Sequence, residues 1–493
     1  MPLLLTVLLT LLAFAELIPD MDQQQAHRIV LSLPEGFIPV EQHLAIANEL
    51  NITLFELSDP VQLRNFPRNR YNYFVQPGPQ YAVPGLLSQN ISKIAEEIAE
   101  QYQRFEDEAP GRIVAASILR YPFERYPGFT RTAQSLADSL SLAISIPIYY
   151  KSAGFPSDSR SGGFNFISER VHPGQDQTAD GSVIHFVPSH NQHESYFYLN
   201  QTMNRLQQFN ESILILPAPW FFSQLETRSE LRYLFRDYTE GRSIELPLPA
   251  QTQQKPSVNW SIILLLLLWG SFAIHFRYQP MYGQSIIRYF TNHSFFVTDV
   301  YEHRLRNVLP GFYLLIQHSL ITGLFALASA EIILSDQGFA VLDHHFPAVM
   351  MFGENAFSLF IAGLLLAIVL QGISVLWIYF ANTELTAFSQ VLNLYSWPLH
   401  LNLLLVTLLI IFIQVGFNEY LILILGVIFI LIWFFSFNIA VIDSSKFLET
   451  TLSKVLFLSL TAAIHLLLIL GILFYMIYTP SILEPILFAL EIP

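Results

Sequence analysis

Glu35, Glu56, Asp59, Glu124 and Glu169 each fall at or just beyond the end of a run of apolar, β-prone residues. In α/β folds, ligands bind beyond the carboxyl ends of the strands, so these acids stand where reactive groups are expected. Two carboxylates facing each other across a barrel mouth, with aromatics to stack on a sugar, are what glycoside hydrolysis requires. Glu124, Glu56 and Glu169 are therefore the candidate catalytic residues. Glu124 lies in Arg120-Tyr121-Pro122-Phe123-Glu124-Arg125-Tyr126-Pro127, a loop dense in aromatic and cationic groups. Tyr121, Arg125 and Trp220 are the matching ligand-binding candidates. A plainer role competes, in which Glu124 pairs with Arg120 or Arg125 in a solvated loop.

A second cluster is His185, His190, His193 and Glu194, in the stretch IHFVPSHNQHESYF. Imidazole and carboxylate groups at the end of a strand and the start of a helix could hold zinc with an open coordination position. The competing expectation is scattered surface histidines. No Walker or dinucleotide loop occurs, and Ser161-Gly162-Gly163 precedes a strand rather than a helix, so it reads as a turn. No G-x-S-x-G elbow is present. The chain has no cysteine, which excludes disulfides, thiolate metal sites and thiol catalysis. No cofactor is assigned by any motif.

The elements that must position these groups alternate along the first half. Apolar runs at 28–33, 52–57, 71–75, 112–119, 144–150, 164–168, 183–187 and 212–216 read as strands, several buried on both faces. Amphipathic stretches at 40–50, 91–106, 131–141, 195–209 and 226–240 read as helices. This alternation predicts an α/β fold. Eight strands suit a degenerate (β/α)8 barrel, preferred here to a doubly wound sheet.

The second half is different in kind. Apolar segments at 258–276, 310–333, 352–380, 398–416, 420–441 and 455–477 each approach or exceed the ~20 residues that cross a bilayer as a helix. Only six of the 25 Lys and Arg residues lie in this half. Arg277, Arg288, Arg304 and Arg306 fall between spans one and two, and Lys446 and Lys454 between spans five and six. Basic residues are retained in the cytoplasm, so the first span runs outside to inside and the C-terminus is external. The connection 277–309, rich in Tyr and Phe, is expected to include a helix lying on the bilayer.

Residues 1–15 read as a signal peptide ending in Ala-x-Ala. The remaining organisation is an extracytoplasmic α/β domain at 16–246, a Pro/Gln-rich linker at 247–257, an all-α six-span bundle at 258–478 and an external tail at 479–493. His318, Gln371, His400, Asn402, Asn438 and His465 fall in the cytoplasmic half of the bundle. They form a candidate polar pocket, with interhelical packing as the alternative. Glycosylation sequons at Asn51, Asn90, Asn200, Asn210, Asn259 and Asn292 compete with chance matches.

The formal charge of −14, with no basic run, argues against a nucleic-acid partner. Nucleotide-driven work is not expected either. The absence of cysteine points to a bacterial envelope and its inner (plasma) membrane. The expected partners are the lipid bilayer and an envelope glycan or protein. The leading expectation is an outer domain that binds, and could hydrolyse, a glycan or peptide. The alternatives are a transporter or channel subunit with a substrate-delivery domain, and a non-catalytic assembly scaffold.

Overall fold

Eight short parallel strands close on themselves: β1 (His27–Leu33), β2 (Leu54–Leu57), β3 (Asn72–Val75), β4 (Ile113–Arg120), β5 (Ile148–Lys151), β6 (Phe166–Val171), β7 (Val183–Phe186) and β8 (Ser212–Pro217). The ring closes where Val30 of β1 stands beside Ile215 of β8. The fold is therefore the barrel and not the doubly wound sheet. The computed structural model describes residues 27–67, 70–141, 143–154, 164–172, 181–189, 191–249, 259–279, 281–416 and 419–492. The expected signal peptide, the linker from 250 on, the turn at 161–163 and His190 lie outside the described residues. The chain divides into two compact units, one of Met1–Lys255 with Ile492–Pro493 and one of Pro256–Glu491.

The strands read as continuous apolar runs because both of their faces are covered. Ile29, Leu31, Phe55 and Leu57 face outward into a core shared with the helices. Helix Ile91–Glu108 contributes Ala95, Ile98, Tyr102 and Phe105 from one stripe, and helix Gln192–Leu206 contributes Leu199, Met203 and Leu206. The opposite faces fill the barrel with Val30, Leu54, Phe74, Ala115, Tyr149, Val183, Ile213 and Ile215. At ~25 cal/mol per Å² of apolar surface removed from water, these two cores are the main driving force for closure.

The helix expected at 226–240 is two helices, Ala218–Thr227 and Leu231–Thr239. A proline in the first turn sets the earlier start, and Arg228, at φ −137° and ψ 88°, leaves the helical region and breaks the run. Two further short helices, Pro60–Asn65 and Pro84–Gln89, occupy stretches that read as loops, and both begin with proline.

The second unit contains, among the described residues, six helices long and apolar enough to cross a membrane: Trp260–Tyr278, Leu309–Ile333, Ala356–Ala381, Phe388–Val415, Tyr420–Ser445 and Thr451–Tyr478. The fourth begins ten residues before the expected 398, because its first part, Phe388–Ser396, is joined through a 3-10 turn at Trp397–His400. Pro398 falls in that turn, where a missing N–H breaks the α-helical ladder. The sixth carries a π-helical turn at Ser459–Ala463. The stretch after the sixth span contains a helix, Pro480–Glu491. The expected bilayer-lying helix is two helices, Tyr282–Thr291 and His293–Tyr301. Their Tyr282, Tyr289 and Phe296 are buried in the bundle core instead of facing lipid.

Candidate functional site

Side chains two apart on a strand share a face, so the interior can be followed upward from its apolar filling. Two residues beyond Val30, Leu54, Phe74, Ala115, Tyr149, Phe166 and Val183 stand Ser32, Glu56, Gln76, Ser117, Lys151, Ser168 and His185. One more step along β6 reaches Arg170. The barrel is apolar below and polar at its C-terminal mouth.

At the centre of the polar layer Glu56 is sealed from solvent. Its Oε2 accepts from Lys151 Nζ at 2.7 Å, and its Oε1 accepts from the Tyr149 hydroxyl at 2.8 Å. Burial by itself would raise the Glu56 pKa. The Lys151 charge, with bonds from Lys151, Ser32 and Tyr149, outweighs burial and holds it below the ordinary carboxylate value. Burial, reinforced by the Glu56 charge, pushes the Tyr149 hydroxyl well above its usual range. Glu56 is thus an ionised anchor with its acceptors occupied.

Tyr121 is the hub of the upper layer. Its ring receives Lys151 Nζ at 5.7 Å and the Arg170 guanidinium at 5.4 Å from the centroid. Its hydroxyl lies 3.3 Å from His185 Nδ1. Its backbone is left-handed at φ 49°, as is that of Tyr81 at φ 50°, and the two rings lie 5.8 Å apart. Left-handed backbone in bulky residues costs ~1–3 kcal/mol and concentrates at functional sites. Burial, with the charges of Lys151 and Arg170, drives the His185 pKa well below its ordinary value, so the imidazole is neutral.

Arg120, the last residue of β4, turns from Glu124 toward the loop after β3, donating from Nε to the Gly78 carbonyl at 3.0 Å. Gly78 is required there: a Cβ would meet the Ile118 carbonyl at 2.2 Å. The expected pairing of Glu124 with Arg120 is therefore not formed.

Glu124 is part-buried, with the Ser152 hydroxyl 3.1 Å from its Oε2. Its Oε1 is buried without a hydrogen-bond partner among the described residues. Burial raises its pKa to about 8, opposed by the hydrogen bond from Ser152 and aided to a smaller extent by the charge of Glu169. Glu169 accepts from the Gly181 backbone N–H at 3.1 Å. One carboxyl group that keeps its proton at neutral pH therefore follows β4, within reach of the charge of Glu169, which lies on the outer face of β6 with Ile167 and Val171.

The other expected site residues are dispersed. Asp59 caps helix Pro60–Asn65 by accepting from the Val61 N–H, Glu35 and Arg125 are exposed, and Trp220 packs against Phe186 and Tyr196. His193 Nδ1 meets the Pro249 carbonyl oxygen at 2.7 Å, away from the Tyr121–His185 contact. Glu194 starts helix Gln192–Leu206. Among the described residues no group of three or more His, Asp or Glu is placed to hold a metal. Lys151, Tyr149, Ser152 and Arg170 were not expected from the sequence.

In the bundle, three of the six expected polar residues converge. Asn402 Nδ2 lies 2.9 Å from His318 Nε2, and Gln371 Nε2 donates to Ser319 Oγ at 3.1 Å. Gln317 Oε1, His318 Nδ1, Gln371 Oε1 and Asn402 Oδ1 are buried without partners. His400 stacks near Phe272, Asn438 bonds the Phe434 carbonyl of its own helix, and His465 packs on Phe437.

No known protein-family model matches the chain, and no curated protein does. Two solved structures similar to part of it are of β-glucuronidase from Ruminococcus gnavus, in complex with D-glucaro-d-lactam and with D-glucaro 1,5-lactone. Each is 12% identical, with a TM-score of 0.26 over 39% of this chain. The chain spans 34% and 35% of the length of those chains.

Proposed function

We propose that the barrel is the extracytoplasmic unit of a multi-pass bacterial membrane protein, and that it binds and hydrolyses a glycan with Glu124 as general acid. The observation that carries this reading is the Glu124 carboxyl group, protonated at neutral pH with an uncommitted oxygen. Glycoside hydrolysis needs a proton delivered to the leaving oxygen and an ionised carboxylate nearby; Glu169, whose charge acts on Glu124 from the outer face of β6, is the candidate for that second role. Tyr121, part-exposed and backed by the buried Tyr81, supplies aromatic surface for a sugar ring. The extracytoplasmic placement rests on the six basic residues: Arg288, Arg304, Arg306 and Lys446 in connections, and Arg277 and Lys454 at the adjoining ends of the first and sixth spans.

The test uses purified full-length protein in detergent and envelope glycans, with release of reducing ends as the readout. Glu124→Gln is expected to lower kcat by about 10²–10⁴-fold with little change in KM. Hydrolysis undiminished in that variant, or none from the native protein, overturns the reading.

A second reading, transport through the bundle, is favoured by the buried, unpartnered polar atoms around His318 and Asn402. It requires a solute flux in liposomes that His318→Ala abolishes, and an intact flux in that variant removes it.

A further inference from the structure

Among the described residues, Arg170 is a buried cation with no carboxylate to neutralise it. Only 5% of the residue is exposed, yet no carboxylate pairs with its guanidinium among the described residues. Its contacts are a long 3.5 Å approach of Nη1 to the Ala153 carbonyl and the face of Tyr121. Nε is buried without a partner. The neighbouring charges offer no relief, because Glu56 is already engaged by Lys151 and Tyr149. A third positive charge is refused at this spot, since His185 stays neutral through burial and through Lys151 and Arg170 themselves.

An uncompensated buried charge opposes folding. Such a group persists where the function uses it, and perturbed charges of this kind concentrate in sites. Arg170 lies on the interior face of β6, above the apolar filling, so the guanidinium stands at the mouth where a ligand would enter. A planar fork with unused donors matches a carboxylate or phosphate oxyanion. The strained Tyr121 holds one face of that fork.

We propose that Arg170 is an anion-recognition element and that the ligand of the barrel is an acidic sugar, its carboxylate or phosphate received by the Arg170 guanidinium. The sugar half of this statement rests on the glycan reading above; the anion half rests on Arg170 alone.

The experiment is titration calorimetry on full-length protein in nanodiscs with D-glucuronate, glucose 6-phosphate, D-glucose and inorganic phosphate. At least one acidic sugar is expected to bind ten times more tightly than glucose, and the stronger of the two identifies the oxyanion. Arg170→Met should remove that preference, and Arg170→Lys should keep part of it. Ligand-free Arg170→Met should melt no lower than the native protein, which separates a recognition role from a structural one. Equal binding of neutral and acidic sugars by the native protein overturns the proposal even if the variants fail to fold. A preference that survives in Arg170→Met overturns it as well. If phosphate binds through Arg170 but no sugar does, the anion site stands and the glycan reading falls. If neither phosphate nor an acidic sugar binds, the anion site falls.

Discussion

Lys151 Nζ and Glu56 Oε2 stand 2.7 Å apart across the barrel, from β5 to β2, with both side chains closed off from water. The pair crosses the interior between strands that are not ladder neighbours, so it ties opposite sides of the ring. Breaking a buried ion pair by removing one partner costs about 3–5 kcal/mol, whereas replacing both groups with apolar ones is often neutral.

Glu56→Gln and Lys151→Met should therefore each lower the melting temperature sharply, and Glu56→Leu/Lys151→Met should recover most of the loss. Thermal denaturation of the three variants checks this. A double variant as unstable as the sum of the single changes would show that the charges themselves, and not their pairing, hold the mouth together.

The barrel was legible because its strands are runs of β-branched and aromatic residues bounded by turn formers. The polar ring was equally present in the sequence, as an apolar residue followed two positions later by a polar one: Leu54 to Glu56, Tyr149 to Lys151, Val183 to His185. Choosing acids at strand ends passed over that period. The expected fifth strand stops at 150 and the sixth at 168, which leaves Lys151 and Arg170 just outside the expected strands. Trp220 does follow β8, and the helix that starts directly after that strand packs it against Phe186 and Tyr196. No local signal marks the Glu56–Lys151 contact, which spans 95 residues and exists only once the ring closes.

Glu124 makes stability depend on pH in an unusual direction. Its folded pKa of about 8 lies above the ordinary 4.5, so between those values the native state holds a proton that the unfolded chain has released. Stability from this group is fully present below pH ~4.5 and is lost as pH rises through ~8. Chemical denaturation of the native protein and Glu124→Gln at pH 5, 6.5 and 8 should show the difference between them changing across this window. A constant difference would mean that the carboxyl group is ionised throughout.

His185 gives the opposite sign. Its folded pKa is well below the ordinary 6.5, so below pH 6.5 the unfolded chain takes up a proton that the native imidazole refuses. Its burial therefore costs nothing above that pH and destabilises the barrel progressively as pH falls. His185→Gln should flatten the acid limb of stability between pH 6.5 and 5 without altering the limb above pH 7. NMR of the ring should show no protonation shift in the native protein over the same interval; a midpoint near 6.5 would contradict the geometry.

His318 and Asn402 link the second and fourth spans at 2.9 Å. Side-chain hydrogen bonds between helices in a bilayer contribute about 0.6 kcal/mol on average and up to about 1.7. Asn402→Leu is expected to weaken the bundle by an amount in that range, measured by SDS-induced unfolding in bicelles. His318→Leu added to it should cost little more, since the contact is already gone. Two independent, additive losses would place the polar atoms in separate environments.

Sidedness can be read cleanly because the chain has no cysteine, so one introduced thiol reports one position. Thr291 and Asp336 are both exposed and lie in the connections after the first and second spans. Thr291→Cys falls in the segment that carries Arg277, Arg288, Arg304 and Arg306, and Asp336→Cys in one without Lys or Arg. With basic residues kept in the cytoplasm, an impermeant maleimide should label Asp336→Cys in spheroplasts and Thr291→Cys only after lysis. The reverse pattern would put the barrel in the cytoplasm. It would also remove envelope glycans from reach and leave the chemistry of Glu124 and Arg170 in need of an intracellular ligand.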